Sequence, residues 1–362
     1  MKKQGLTTLA LQKFKKSFWG VFSFWFIIFL AFISVFAYVL APDNSQFANQ
    51  MHLSIHSKQP GFTVEMLVVP NTLKNDQGFL NRVFFGSTNP SSEIPITSYE
   101  SEPHQIKYVE YASEGLEGLE KTVNIPSDIE ASLRPFVTQK TFYFGTDKYG
   151  RDLLSRILVG ARISFSIGFV AVFISLLIGI LLGSIAGYFG GKWDKLIMWI
   201  INVTWSIPTL LLVIAITLAL GKGFWQVFIA VGLTMWVEVA RIVRGQVMSV
   251  KEMQYVTAAR ALGYTDFRII LKHILPNILA PVIVISAANF AAAILIESGL
   301  SFLGIGAQPP MSSWGAMIKD HYNYIILGKP YLALIPGLCI MSLVMAFMLI
   351  GNSLRDALDV KS

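Results

Sequence analysis

Residues 241–281 read RIVRGQVMSVKEMQYVTAARALGYTDFRIILKHILPNILAP, a polar, basic stretch set between two long apolar runs. Arg241, Arg244, Lys251, Arg260, Arg268 and Lys272 are opposed only by Glu252 and Asp266. In a membrane protein, a short connection this rich in Lys and Arg belongs on the cytoplasmic side. Its composition is that of ordered structure. Good helix formers, among them Ala258, Ala259 and Ala261, dominate residues 251–262. Gly263 then interrupts, and 264–274 predicts a second amphipathic helix with Phe267, Ile270, Leu271 and Ile274 along one side. Pro276 and Pro281 mark the passage into the next apolar run. A short helix pair held rigidly between two spans can receive force from a soluble partner and pass it to the membrane.

Composition excludes an ordinary soluble enzyme. The 362 residues are 54% hydrophobic and only 14% charged, the signature of a polytopic membrane protein. The net charge of +7 is unevenly spread: residues 43–139 hold 12 of the 22 acids but 6 of the 29 bases. Elsewhere the basic excess flanks apolar runs and sets topology. It forms no dense patch with interleaved aromatics of the kind that binds nucleic acid. The single Cys339 lies in an apolar run, so there is no disulfide frame and no thiolate cluster.

Residues 1–17 carry five lysines and no acid, which places the N-terminus inside. Residues 18–40 hold no charge and are long enough to cross about 30 Å of hydrocarbon; they read as a span, not a cleaved leader. Residues 43–139 are acidic, polar and proline-rich, an external insertion. Alternation in 62–69 and 106–111 predicts strands, so the insertion is either a small β-containing subdomain or partly loop. Gly145, Asp147, Gly150, Arg151 and Asp152 then form a turn that leads into a helix along the outer interface. Capping and interfacial pairing, not catalysis, account for their charges.

The second span is expected at 163–187, where Gly179, Gly183 and Gly187 line one face for close helix approach. The third, 196–220, should kink at Pro208. The fourth covers 224–240 and the fifth 278–300. The fifth contains Glu297, which is either a functional carboxylate or a structural hydrogen-bond partner. The sixth, 331–350, should be interrupted at Pro336-Gly337, and the tail returns inside. The expected fold class is therefore an all-α polytopic membrane protein with six transmembrane helices and both ends cytoplasmic. Its expected divisions are 1–42, 43–139 and 140–362, the last holding the cytoplasmic loop 241–277. No G-x-x-x-x-G-K-[ST], H-E-x-x-H, C-x-x-C or G-x-S-x-G occurs, so any ATP use falls to another chain.

At this point the chain resembles a membrane permease subunit of an ATP-binding-cassette importer, in the dipeptide/oligopeptide/nickel branch. The cytoplasmic signature stands here as Thr257-Ala258-Ala259, Gly263 and His273-Ile274-Leu275-Pro276. Thr257 replaces the usual Glu and His273 the usual Ile. Further likenesses are the Gly145 to Asp152 motif, ESGLSFLG at 297–304, Gln308-Pro309-Pro310, Ser313-Trp314-Gly315 and the ending Leu354-Arg355-Asp356-Ala357-Leu358-Asp359. Together they cover about 12–42 and 140–360 and are highly specific. The insertion is longer than the family's usual connection.

The resemblance implies a type I importer permease fold in a bacterial inner membrane. It implies a sister permease around a shared path, two cytoplasmic ATPases that bind the ATP and magnesium, and an external substrate-binding protein. No cofactor or metal is expected on this chain. Thr257, Ala258, Ala259, Gly263, His273, Leu275 and Pro276 would couple to the ATPases, while Pro208 and Glu297 would serve the path or the structure. Short peptides are the implied cargo. His52, His56, His104, His273 and His321 form no intramembrane ligand cluster that would mark a nickel site. The rival from another class is a proton-coupled carrier with Glu297 as relay.

Overall fold

The computed structural model describes residues 6–70, 78–88, 91–112, 116–125, 134–221 and 223–358. The chain opens with helices α1 (Leu6–Lys16), α2 (Phe18–Val35) and α3 (Ala37–Leu40), and α4 (Phe79–Phe85) follows. Among the described residues, five helices are long and apolar enough to cross a membrane: Phe18–Val35, Leu153–Phe189, Trp225–Lys251, Asp266–Phe302 and Tyr331–Leu358. A sixth span exists if the bent pair Gly191–Trp205 and Thr209–Leu220 is one crossing. The chain divides into two compact units, one of Met1–Leu30, Ser164–Gln308 and Leu338–Ser362, the other of Ala31–Ile163 and Pro309–Gly337.

The second unit contains a five-stranded antiparallel sheet. Its strands are β1 (Phe62–Val69), β2 (Ser92–Glu102), β3 (Gln105–Glu110), β4 (Glu120–Asn124) and β5 (Phe136–Phe142), in the order β4-β3-β2-β1-β5. Both stretches expected to be strands are strands, so the chain is not all-α. Few apolar residues suffice because β1 serves two faces. Val64 and Met66 pack with Ile55 and Phe142, while Leu67 packs with Ile96, Ile106 and Tyr108. Successive side chains point to opposite sides of a strand, which is why Met66 and Leu67 join different clusters.

The external motif pins this unit together. Asp147 is fully buried and accepts the N–H groups of Tyr149 and Arg151 at 2.8 and 3.0 Å. Its other oxygen takes the Arg151 Nε–H at 2.6 Å. Arg151 reaches on to Asn49 at 2.9 Å. Asp152 receives the Ser155 N–H at 2.8 Å and its hydroxyl as well, capping the helix that follows. Gly150 has φ +73° and lies against the His52 carbonyl so closely that a Cβ would overlap it; Gly145 lies in the same way against the Lys58 carbonyl. Within the same unit Trp314 is buried, and its Nε1–H bonds the Ile157 carbonyl at 2.9 Å. The helix Trp314–His321 begins where Ser313 caps the Ala316 N–H.

Three helical expectations are corrected. No separate interfacial helix precedes the second span: Leu153–Phe189 is one helix (α5) of 37 residues. At 1.5 Å per residue it is about 55 Å long, well beyond the hydrocarbon thickness. Pro208 does not kink a span but breaks it: α6 (Gly191–Trp205) and α7 (Thr209–Leu220) meet at 92°. Pro336, by contrast, does not interrupt its helix, which runs unbroken over Tyr331–Leu358. In the second turn of a helix a proline removes one backbone bond, and neighbouring groups can absorb that loss.

In the first unit, α5 and α8 (Phe224–Lys251) pack at glycine contact distance. A Cβ on Gly179 would lie 2.9 Å from the Trp236 carbonyl, one on Gly183 2.5 Å from that of Ala240, and one on Gly187 2.8 Å from that of Arg244. The expected small-residue face is therefore used within the chain.

Candidate functional site

Helix α8 does not stop at Ala240 but continues to Lys251, so the basic stretch begins as helix. Helix α9 (Gln254–Ala261) follows, then a short turn α10 (Asp266–Ile269) and a π-helical turn Ile270–Ile274 that runs directly into α11 (Leu275–Phe302). Pro276 is the second residue of α11, and having no N–H it cannot bond back to the carbonyls of the π turn before it. The second element is thus the entry to the fifth span, not an independent helix.

Gly263 ends α9 for a backbone reason. Its φ is +79°. The Gly263 N–H bonds the Arg260 carbonyl at 3.0 Å, and the Tyr264 N–H bonds that of Ala259 at 3.2 Å. These are the two bonds of a Schellman cap, which needs a left-handed residue at the glycine position. No atom lies within 4 Å of where a Cβ would stand, so conformation and not crowding within the chain selects glycine.

One apolar core holds the element. Val256 and Ala259 of α9, Ile269, and Ile274 with Ile278 and Val282 bury against Tyr188 and Val239, Val243 and Val247 of α8. The sequence periodicity placed Phe267 and Leu271 on this side. They are instead 72% and 45% exposed, while Ile269 and Ile274 are fully buried. The π turn explains the difference, because widening the helix brings residues five apart, Ile269 and Ile274, onto one side.

Polar contacts complete the frame. Tyr188 donates its hydroxyl to Asp266 at 2.6 Å and receives Arg260 at 3.5 Å, tying α5 to both halves of the loop. Arg244 clasps Asp194 of α6 through two bonds of 2.5 and 2.7 Å. Arg268 lies over the Tyr264 ring at 4.3 Å, and that ring stacks on His273.

The site residues therefore sort by position. Ala259 is buried and Leu275 packs at the edge of the same core, so both belong to the frame. Thr257, Ala258 and Gly263 are exposed on one short stretch, with Leu262 73% exposed beside them and Pro276 exposed further on. Leu262, Phe267 and Leu271 thus stand exposed among basic residues.

Elsewhere in the first unit, a cavity of about 160 Å³ lies beside the α6–α7 break; its lining is mostly apolar, with Ile207, Leu212, Met235 and Ile296, and also carries Thr204, Trp205, Thr209, Thr234 and Glu238. Glu238 belongs to no motif; its only sequence signal is one charge inside an apolar helix. Glu297 is fully buried and lies outside that lining.

With this geometry in view, the comparisons decide the family. Residues 179–361 match the family described as "Binding-protein-dependent transport system inner membrane component". The chain belongs to that family. It is a permease subunit of an ABC importer, a multi-pass inner-membrane component. Residues 5–60 match a second family, the N-terminal TM domain of oligopeptide transport permease C. The permease is 44% identical over 219 residues to the glutathione transport system permease protein GsiD of Escherichia coli O6:K15:H31, covering 60% of this chain and 72% of that protein. It is 45% identical over 219 residues, with the same shares, to the dipeptide transport system permease protein DppC of Alkalihalophilus pseudofirmus. Among solved structures it is similar to a chain of the MetNI methionine ABC transporter in an inward facing conformation. That likeness has TM-score 0.47 and 18% identity, over 56% of this chain and 95% of that one.

Proposed function

We propose that this permease carries short peptides, forming half of a path completed by a sister permease in a type I importer arrangement. Two relatives whose names specify glutathione and dipeptide transport support peptide cargo, since both substrates are short peptides. The observation that carries the mechanism is the frame around Gly263. A rigid element, continuous with α8 and α11, presents Thr257, Ala258, Leu262 and Phe267 outward. Two cytoplasmic ATPases, which bind the ATP and magnesium, dock there and close on each other. Because α9 shares one core with α8 and the start of α11, that movement tilts the spans and not merely the loop. Binding ATP on one side and substrate on the other then shifts one inward–outward equilibrium.

In this reading both termini and the loop 241–277 are cytoplasmic. Residues 43–139, enlarged relative to the family's usual connection, lie outside and dock the substrate-binding protein. Thr257 in place of Glu removes one charge from the ATPase contact and leaves its apolar part, Leu262 and Phe267, to hold the partner.

The test is uptake of a labelled di- to pentapeptide series by the reconstituted importer, with ATP hydrolysis followed in parallel. Peptide uptake coupled to stimulated hydrolysis supports the reading. Normal coupling with a different solute and no peptide uptake overturns the cargo.

A further inference from the structure

We propose that Glu238 receives the ammonium group of the transported substrate in the cavity beside the Pro208 break; the peptide cargo named above is assumed. Two separate observations favour a hydrated cavity over a lipid-facing groove. The backbone is non-helical between Trp205 and Thr209, where α6 and α7 part at 92°. At membrane depth such backbone survives only inside protein or along water. The second observation is the carboxylate. Glu238 lies in the last turn of the fourth span, exposed, while its neighbours Val237, Val239 and Ala240 are buried.

A charge at such a position needs water or a counter-ion. Among the described residues none supplies one: Glu238 makes no ion pair or hydrogen bond. The cation one turn along, Arg241, makes no ion pair with Glu238; its guanidinium stacks on Trp205 of the same cavity, 3.8 Å from the ring centre. A water needs about 10–15 Å³ of such space, so a cavity of about 160 Å³ holds several.

The few polar groups in a mostly apolar lining are acceptors. Thr204 and Thr234 spend their hydroxyl protons on the carbonyls of Ile200 and Val231, at 2.9 and 2.8 Å. Their oxygens remain as acceptors. Acceptors, an aromatic ring and a carboxylate with no ion-pair partner suit an N–H-rich cation. Both ends of a free peptide are charged, so the site would orient it, amino end toward Glu238.

The experiment uses the whole importer, because the binding protein's own preference then cancels between variants. Uptake of a lysine-containing and a glutamate-containing dipeptide is compared in wild type and in Glu238→Gln and Glu238→Asp. Losing one charge-assisted hydrogen bond should lower the cationic-to-anionic uptake ratio about tenfold in Glu238→Gln, with Glu238→Asp retaining it. An unchanged ratio, or equal loss in both variants, overturns the proposal. In a Cys339→Ala background, Glu238→Cys should react with a water-soluble charged methanethiosulfonate reagent, and a saturating dipeptide delivered by its binding protein should slow that reaction. A variant that such reagents do not reach overturns the hydrated site. A wild-type importer that moves no peptide refutes the cargo reading instead, and reagent access alone then judges the cavity.

Discussion

Ser301 donates its hydroxyl to Glu297 at 2.7 Å, and the same hydroxyl oxygen accepts the Ala307 N–H at 3.1 Å. The buried carboxylate thus fixes the end of α11 and the turn that follows it. Gly306 lies so close to Ser301 that a Cβ there would overlap it. This is the geometry of a structural brace. Glu297→Gln keeps an oxygen for Ser301 and should leave peptide uptake within about threefold of wild type, with an unchanged pH profile. Glu297→Leu removes the acceptor and should lower the yield of assembled complex, at a cost of about 1–3 kcal/mol. Abolished uptake in a fully assembled Glu297→Gln importer would instead identify a proton relay.

Gly263 separates two explanations that sequence alone leaves together. Its φ of +79° with open space around it predicts that conformation governs tolerance. Asparagine enters the left-handed region more readily than alanine, and valine least of all. Substrate-stimulated ATP hydrolysis should therefore fall in the order Gly, Asn, Ala, Val. If Asn is as damaging as Val, crowding by the docked ATPase is the cause and the cap is secondary.

The α5–α8 contact yields a third expectation. A side chain at Gly183 meets the Ala240 carbonyl as well as Val243. Gly183→Leu should destabilise the permease by about 1–3 kcal/mol or more, the usual cost of overpacking, seen as a lower midpoint of thermal unfolding in detergent. Adding Val243→Ala should restore little, because the backbone obstacle remains. Full rescue by that second change would mean the helices can slide apart.

Much of this architecture was legible because it rests on local chemistry. A charge-free run of membrane length, glycines four apart and a glycine after an alanine-rich helix each have one physical consequence. What escaped was set by tertiary contact. The π turn at Ile270–Ile274 shifts the phase of the periodicity, so Phe267 and Leu271 read as core although they are outside. Nothing local distinguishes Pro208, which breaks its span, from Pro336, which does not. The sheet was half visible: β1 was found by alternation, while β4 (EKTVN) carries too little apolar pattern to announce itself. Glu238 belongs to no motif, and only the cavity beside it gives its charge a meaning.

The last expectation is a pH dependence in the sheet-bearing unit. His52 is buried, and burial, reinforced by Lys140, lowers its pKa from 6.5 to about 4, with Asp43 opposing. His321 is also shifted down, by burial first. Its Nδ1 lies 2.7 Å from the Met317 carbonyl and its Nε2 accepts the Lys148 N–H at 3.5 Å, the pattern of a neutral ring. In both cases the unfolded chain takes up protons at a higher pH than the folded one. Stability is therefore complete above the unfolded value and declines as pH falls from about 6.5 toward 4. For His52 alone the loss is on the order of 3 kcal/mol by pH 4. Protease resistance of this unit in the intact permease should drop across that window. His52→Gln should flatten the drop in part, and His52→Gln with His321→Gln should flatten it further. A profile that is level from pH 7 to 4 in wild type would show that neither ring is held neutral by the fold.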